Sequence, residues 1–239
     1  MKIVILCGGL GTRIKHAIND IPKPMITIGR YPILWHVMKI FACQGFTDFI
    51  LCLGYKGAQI KSYFSKLLTK QNYKDWHIDF AYTGLKTPTG GRLKLVESLI
   101  NTERFIVTYA DGLSNIDISS LLSFHVKHKK IATVTSVHPQ SYFGEMKLSN
   151  NALVTKFVEK PLLKSWVNGG FFVFEKSIVK ILSKNDVSEK EALMCLAKNR
   201  QLTAYKHTRF WKCLDTYKDK YELNQIWKQG KAPWKIWKD

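Results

Sequence analysis

The stretch best equipped for chemistry is "CGGLGTR", residues 7–13, which follows directly on the apolar run "KIVIL". Its three glycines leave the loop's backbone N–H groups uncovered, and a run of bare amides can wrap a polyphosphate. Arg13 closes the loop. Lys23 follows in "IPKPM", where Pro22 and Pro24 restrict the backbone on both sides and so fix where the lysine points. Two cations at fixed positions suit a reaction in which a phosphate bond breaks and negative charge builds. The loop fits neither familiar phosphate fingerprint. Counted from Gly9, the sixth position of G-x-G-x-x-G is Ile14, and Gly8 is not followed by Gly-Lys-Ser/Thr at Walker A spacing. A tight turn without a ligand is the alternative reading, and the paired cations weigh against it.

These residues need elements to position them. "KIVILC" (2–7) is short and β-branched and reads as a buried strand. In "PILWHVMKIFACQG", Ile33, Val37, Ile40 and Phe41 fall at helical spacing, with Pro32 near the start and Gly45 at the end. A strand, "FTDFILCLG" (46–54), and an amphipathic helix, "GAQIKSYFSKLL", come next. Strand, helix, strand, helix with short connections predicts right-handed parallel crossovers, hence an α/β fold with one doubly wound, mostly parallel, Rossmann-like sheet. The pattern continues through "HIDFAY" (77–82), a helix after "GGR" from residue 91, "RFIVTYADG" (104–112), a helix around "DISSLLSFHVKHK" and the strand "KIATVTSV" (130–137). From 142 to 174 the short strands "YFGEMKLS", "LVTKFVEK" and "NGGFFVF" have no helices between them and predict a small antiparallel excursion over the active site. Helices near 189–199 and 217–228 flank a last strand, "LTAYKH". No repeat or long linker interrupts residues 1–239, which are expected to form one domain.

Composition bounds the function. The chain has 37 Lys and Arg against 18 Asp and Glu, a formal charge of +19, which favours anionic partners. With +19 and seven tryptophans a nucleic-acid-binding surface has to be weighed, but no recognition motif is present and the basic residues do not gather in one tract. Cys7, Cys43, Cys52, Cys195 and Cys213 form no CxxC pair and are odd in number, which fits free thiols in a reducing compartment. No apolar run has the length of a membrane span, and "IVIL" is cut short by Gly8-Gly9, so a cytoplasmic protein without membrane insertion is expected. No Cys/His constellation has metal spacing. His16, His125, His128 and the other histidines are expected to be solvated or to cap helices.

"GGLGTR" followed by "PKPM" resembles the signature of the sugar-1-phosphate nucleotidyltransferases, and the resemblance runs on through "PILWHVMKIF", "DFILCLGYKG", "TGGRLK", "TYADG", "VEKP", "NGGFFVF", "LDTYKD" and "GKAPWK". "ILWHVMKI", "TGGR" and "GKAPWK" resemble the glucose-1-phosphate cytidylyltransferase branch in particular. The resemblance implies the nucleotide-diphospho-sugar transferase fold and an in-line attack by an acceptor phosphate on the α-phosphate of CTP, with release of pyrophosphate. No nucleophilic side chain is needed for this; positioning and charge neutralisation carry the reaction. It further implies a nucleotide loop of Leu6, Cys7, Gly8, Gly9, Leu10, Gly11, Thr12 and Arg13, with Arg13 on the leaving phosphates and Lys23 near the α-phosphate. Asp111 of "TYADG" and Asp215 of "LDTYKD" are implied as ligands of Mg²⁺, beside Ala110. An N-cap before "TYKDKYEL" is the other role open to Asp215. Thr87, Gly90 and Arg92 are implied on the base side. Glu159, Lys160, Asn168 and Gly169 are implied on the side of a small phosphorylated acceptor.

Three departures from the branch fall around the acceptor and the subunit contact. The segment before "TGGR" is about twenty residues too short for the loop that reaches a neighbouring subunit in that branch, which bears on the expected homo-oligomer. "ADG" replaces "GDG", and "LLKSWV" follows "EKP" in place of a charged, glycine-rich stretch. Glucose 1-phosphate is the expected acceptor. The alternative is the related CTP:phosphoglutamine cytidylyltransferase activity of capsule phosphoramidate synthesis, which the bulkier, more positive Lys164 and Trp166 would suit.

Overall fold

The computed structural model describes residues 1–11, 21–182 and 189–238. In chain order the elements are β1 (Lys2–Leu6), β2 (Thr27–Ile28), β3 (Tyr31–Pro32), α1 (Ile33–Ala42), β4 (Asp48–Leu53), α2 (Gly57–Leu68), β5 (His77–Tyr82), α3 (Thr89–Leu95), β6 (Arg104–Tyr109) and β7 (Gly112–Ser114). They continue with α4 (Ile118–His128), β8 (Ala132–Val137), β9 (Glu145–Leu148), β10 (Val154–Val158), β11 (Val167–Glu175), α5 (Ile178–Ile181), α6 (Glu189–Lys198), β12 (Leu202–Lys206), β13 (Trp211–Cys213) and α7 (Tyr217–Lys228).

Seven strands form the main sheet in the order β12-β8-β11-β6-β1-β4-β5. Strand β1 pairs in parallel with β4 on one side (Ile3 opposite Phe49, Leu6 opposite Cys52) and with β6 on the other (Ile3 opposite Ile106). Helices cover both faces, which is why the central strands read as unbroken apolar runs rather than as alternating patterns. Ile3 and Ile5 point into one core with α1, whereas Val4 points into the other with Phe105 and Phe174.

Strand β11 corrects part of the expected excursion. Of its three strands only β9 and β10 form a separate antiparallel pair; "NGGFFVF" instead lies inside the main sheet, antiparallel to both β6 and β8. Phe171, Phe172, Val173 and Phe174 are all buried, so this run could only have been a strand covered on both faces. Helix α3 also begins earlier than residue 91, because Pro88 in extended backbone stands as N-cap and Gly90 and Gly91 fall inside the first turn.

Helix α1 is buried on nearly all sides, since the C-terminal segment packs across it. Trp35 meets Trp237 edge-on at 5.7 Å, and His36 meets Trp227 at 4.7 Å. Trp35, Trp76, Trp234 and Trp237 are buried, so "GKAPWK" serves as a staple on α1 and these four rings offer no stacking surface to a nucleic acid. Three histidines depart from the solvated or capping roles expected of them: His36, His125 and His207 are buried. An indole N–H can only donate, so the Trp234 Nε1 contact at 3.4 Å makes His36 Nδ1 the acceptor and leaves Nε2–H to donate to the Ile28 carbonyl at 3.0 Å. Burial pushes the His36 pKa down to about 4, against the smaller opposing effect of the Ile28 bond, and holds the ring neutral.

Candidate active site

The chain leaves β1 towards β4 on one side and reaches β6 on the other, so a crevice opens at the carboxyl ends of β1 and β6, where the winding reverses. The cleft there has a volume of about 540 Å³. It is lined by Leu6 to Gly11, Lys23, Pro24, Leu85 to Thr89, Arg92, Tyr109 to Asp111 and Asp215.

Its first wall is the glycine loop. Cys7 N–H donates to Cys52 O at 3.0 Å and extends the β1–β4 pairing by one residue before the chain turns. Glycine is required at Gly8 by close approach: a Cβ there would stand 1.9 Å from Arg92 Nη1. Arg92 is buried beneath the loop. It donates to Thr83 Oγ1 at 2.6 Å, Gly8 O at 3.2 Å, Leu53 O at 3.4 Å and Leu85 O at 3.5 Å. One guanidinium thus ties the turns after β1, β4 and β5 together, adding a donor to carbonyls of which Leu53 O also accepts from Thr83 and Gly8 O from Tyr55 N–H. At the far end of the loop Gly11 has φ +60° and packs against the Lys23 side chain. Thr12, Arg13 and His16 lie outside the described residues.

The floor is an ion cluster. Lys23 begins a single 3₁₀ turn, Lys23–Met25, after Pro22. Its ammonium donates to Asp111 Oδ2 at 2.5 Å and to Asp215 Oδ1 at 2.7 Å. Burial alone would lower the Lys23 pKa; the two carboxylates outweigh it and raise the pKa above its ordinary value. The carboxylates meet because β7 and β13 pair, with Gly112 opposite Cys213, and because Leu214 N–H donates to Asp111 O at 2.9 Å. Cys213 Sγ lies 3.2 Å from Asp215 Oδ2, and burial together with the charges of Asp215 and Asp111 pushes this thiol far up. The helix-cap role considered for Asp215 belongs to its neighbour. Thr216 caps α7 in a capping box with Asp219, leaving Asp215 just outside the helix and turned towards Lys23.

The base-side and acceptor-side residues divide. Thr87 and Arg92 line the cleft, whereas Gly90 is buried in the first turn of α3 beside Leu93 and Phe174, away from it. Glu159 and Lys160 stand at the base of the β9–β10 arm, 3.2 Å apart, outside the cleft lining. Lys160 also meets Lys218 of α7. The two ammoniums repel, which lowers the Lys218 pKa, while the neighbouring Glu159 carboxylate raises that of Lys160. Asn168 Oδ1 accepts from Gly170 N at 2.8 Å, and Gly169 O accepts from Trp211 Nε1 at 2.7 Å. Gly170, at φ +80°, abuts Tyr109, so this bulged start of β11 backs the cleft wall. Trp166 packs on His138 at 3.8 Å and beneath Lys206 at 5.5 Å. Tyr109, Lys86, Pro88 and Thr89 line the cleft without having been singled out in the sequence. Tyr109 was readable in principle, since it precedes Ala110 and Asp111 at the end of an apolar run.

The model of the nucleotidyl transferase family matches residues 2–237. The chain is 42% identical to the probable glucose-1-phosphate cytidylyltransferase of Bacillus subtilis (strain 168), over 99% of this chain and all of that protein. It is 39% identical, over the same shares, to the glucose-1-phosphate cytidylyltransferase of Salmonella typhimurium. These alignments run over 255 and 257 positions against 239 residues here, so both relatives carry residues that this chain lacks. Among solved structures, HddC from Yersinia pseudotuberculosis, complexed with GMP-PN, matches with a TM-score of 0.72 at 26% identity, over 95% of this chain and 99% of that one.

Proposed function

The chain belongs to the nucleotidyl transferase family, and we propose that within it the protein transfers CMP from CTP to the phosphate of glucose 1-phosphate, forming CDP-glucose. The observation that carries this reading is the near-full-length identity to two glucose-1-phosphate cytidylyltransferases. The site's geometry is consistent with it. An oxygen of the acceptor phosphate attacks the α-phosphorus of CTP in line, the bond from that phosphorus to the β-phosphate bridge breaks, and pyrophosphate leaves with the charge. Both reactants are anions, so the protein acts by holding them and neutralising them.

The amides of the Gly8–Gly11 loop and Arg13 take the triphosphate, and Lys23 takes the α-phosphate. The segment around Thr87 forms the wall for the base, with Gly90 contributing through the start of α3 and Arg92 through the shape of the loop. The donor set suits a hard divalent cation: two carboxylates already converge on one positive centre, the Lys23 ammonium. Asp111 and Asp215 would hold Mg²⁺, which when bound neutralises and orients the phosphates. Lys23 gives up these carboxylates to reach the nucleotide. On the acceptor side, Glu159 accepts from sugar hydroxyls, Lys160 meets the phosphate, and Asn168 and Gly169 at the bulged start of β11 back the wall. Trp166 packs on His138 and beneath Lys206 while staying 40% exposed, and the related phosphoglutamine acceptor is the second reading. Five free cysteines fit a reducing, cytoplasmic setting, and among the described residues no helix is long and apolar enough to cross a membrane.

A pyrophosphate-release assay tests the reading. CTP, UTP, dTTP, ATP and GTP are crossed with sugar 1-phosphates and phosphorylated amino acids. CTP with glucose 1-phosphate is expected to turn over fastest, because a site paired to one base edge leaves about 1–3 kcal/mol of unsatisfied hydrogen bonding with another. Equal turnover with UTP or dTTP, or glucose 1-phosphate no faster than CTP hydrolysis, overturns it.

A further inference from the structure

Successive residues of a strand face opposite ways, and on β13 this divides Lys212 from Cys213. Lys212 Nζ lies 2.5 Å from Glu222 Oε2 and 3.5 Å from Asp219 Oδ1. Cys213 Sγ lies 3.2 Å from Asp215 Oδ2. An ionised carboxylate can only accept, so the thiol is the donor. The other oxygen of Asp215, Oδ1, accepts from Lys23 at 2.7 Å. The backbone of Asp215 is held as well. Its N–H donates to Asp219 Oδ2 at 3.2 Å, and that oxygen also accepts from Thr216 N–H and Thr216 Oγ1, each at 2.8 Å. Asp219 is buried and paired with Lys212, so the anchor is itself fixed. Asp215 is thus kept from swinging on its backbone and from exchanging its two oxygens by rotation.

We propose that Cys213 is a specificity-determining residue for the cation: by engaging Asp215 Oδ2 it leaves Oδ1 to face the ion, which favours a small octahedral cation over Ca²⁺. The proposal rests on the reading of Asp111 and Asp215 as ligands of a divalent ion. Mg²⁺ demands a near-ideal octahedron of oxygens, and the narrow bite of a carboxylate that offers both oxygens fits such a shell poorly. Ca²⁺ takes about six to eight oxygens at longer range and accepts a carboxylate through one oxygen or both. A donor fixed on Oδ2 therefore withholds from Ca²⁺ the contact that would reward it most. It also keeps Oδ1 oriented for the smaller ion, and groups that orient a metal's ligands in this way contribute about tenfold or more to affinity.

Titration calorimetry of the full chain without nucleotide tests the proposal, with Ca²⁺ and with Mn²⁺, which like Mg²⁺ suits an octahedral shell of oxygens. In Cys213→Val, methyl groups replace the donor at similar volume. The ratio of the Ca²⁺ Kd to the Mn²⁺ Kd is expected to fall about tenfold. Cys213→Ser restores a donor and should keep the ratio within about threefold of the wild type. Cys213→Ala should shift it as valine does, and serves if valine does not fit. A general loosening of the fold weakens both ions alike and does not move the ratio. An unchanged ratio in the valine and alanine variants, or a serine variant that shifts as far as they do, overturns the role of Cys213 and leaves Asp111 and Asp215 as ligands. Mn²⁺ binding that survives Asp111→Asn with Asp215→Asn, or a wild type that binds neither ion, overturns the reading of those two carboxylates and the proposal with it.

Discussion

Replacing Lys23 by methionine removes a cation that Asp111 and Asp215 share while keeping most of the side chain's volume. With Nζ–O distances of 2.5 and 2.7 Å and an ammonium that donates at tetrahedral angles, the two carboxylate oxygens stand roughly 4 Å apart, and at an effective dielectric of about 20 their mutual repulsion is about 4 kcal/mol. In the free protein that repulsion is offset by Lys23, whose ammonium sits where a divalent ion would sit and must leave before one enters. The Lys23→Met variant should therefore bind Mn²⁺, used as a calorimetric and paramagnetic probe for Mg²⁺, more tightly than the wild type in the absence of nucleotide. The full 4 kcal/mol corresponds to about three decades in Kd. Solvent reaches the site, since the three side chains are 15%, 26% and 22% exposed, so a gain of one to two decades is the expected range. Cytidylyl transfer should collapse in the same variant, because nothing replaces the charge at the α-phosphate. Titration calorimetry gives the affinity and electron paramagnetic resonance of free Mn²⁺ checks it. If Lys23→Met binds the metal no more tightly than the wild type, the lysine is not holding the metal's place and the argument fails.

Asp111→Asn and Asp215→Asn should each remove most turnover with thermal transitions near wild type, and the double variant should lose little more, because both serve one ion; near-normal rates in both singles at saturating magnesium would refute this. Arg92→Met should lower the melting temperature by about 4–8 °C, since losing the charge-assisted bond to Thr83 Oγ1 with the three longer carbonyl contacts costs on the order of 2 kcal/mol; a shift under about 2 °C would mean that water replaces the guanidinium. His36 has a folded-state pKa of about 4 against about 6.5 unfolded, so the unfolded chain binds the extra proton. Its contribution, about 3 kcal/mol, is complete above pH 6.5 and is lost as pH falls towards 4. Denaturant titrations across that window should show a shallower pH slope for His36→Gln; equal slopes would show that another group governs acid sensitivity.

The sequence by itself determined what depends on neighbours along the chain. The apolar, β-branched runs at 2–7 and 46–54 could only be buried strands, and helical spacing at Ile33, Val37, Ile40 and Phe41 marked α1. The bare loop from Gly8 to Gly11 announced itself because nothing but backbone is available there. What the sequence left open depends on contacts between distant segments. Asp111 and Asp215 come together only because β7 pairs with β13, and no local pattern encodes that pairing. Arg92 reads as a ligand-facing cation until the loops after β1, β4 and β5 are seen converging on it, which turns it into their common donor. His36 looks like the polar position of an amphipathic helix until the tryptophans of the C-terminal segment close over it. Strand β11 carries the same apolar signal whichever way it runs, because burial on both faces fixes composition but not direction. Local periodicity settles which residues form an element. Burial and charge, which depend on the whole fold, decide what each of their side chains then does.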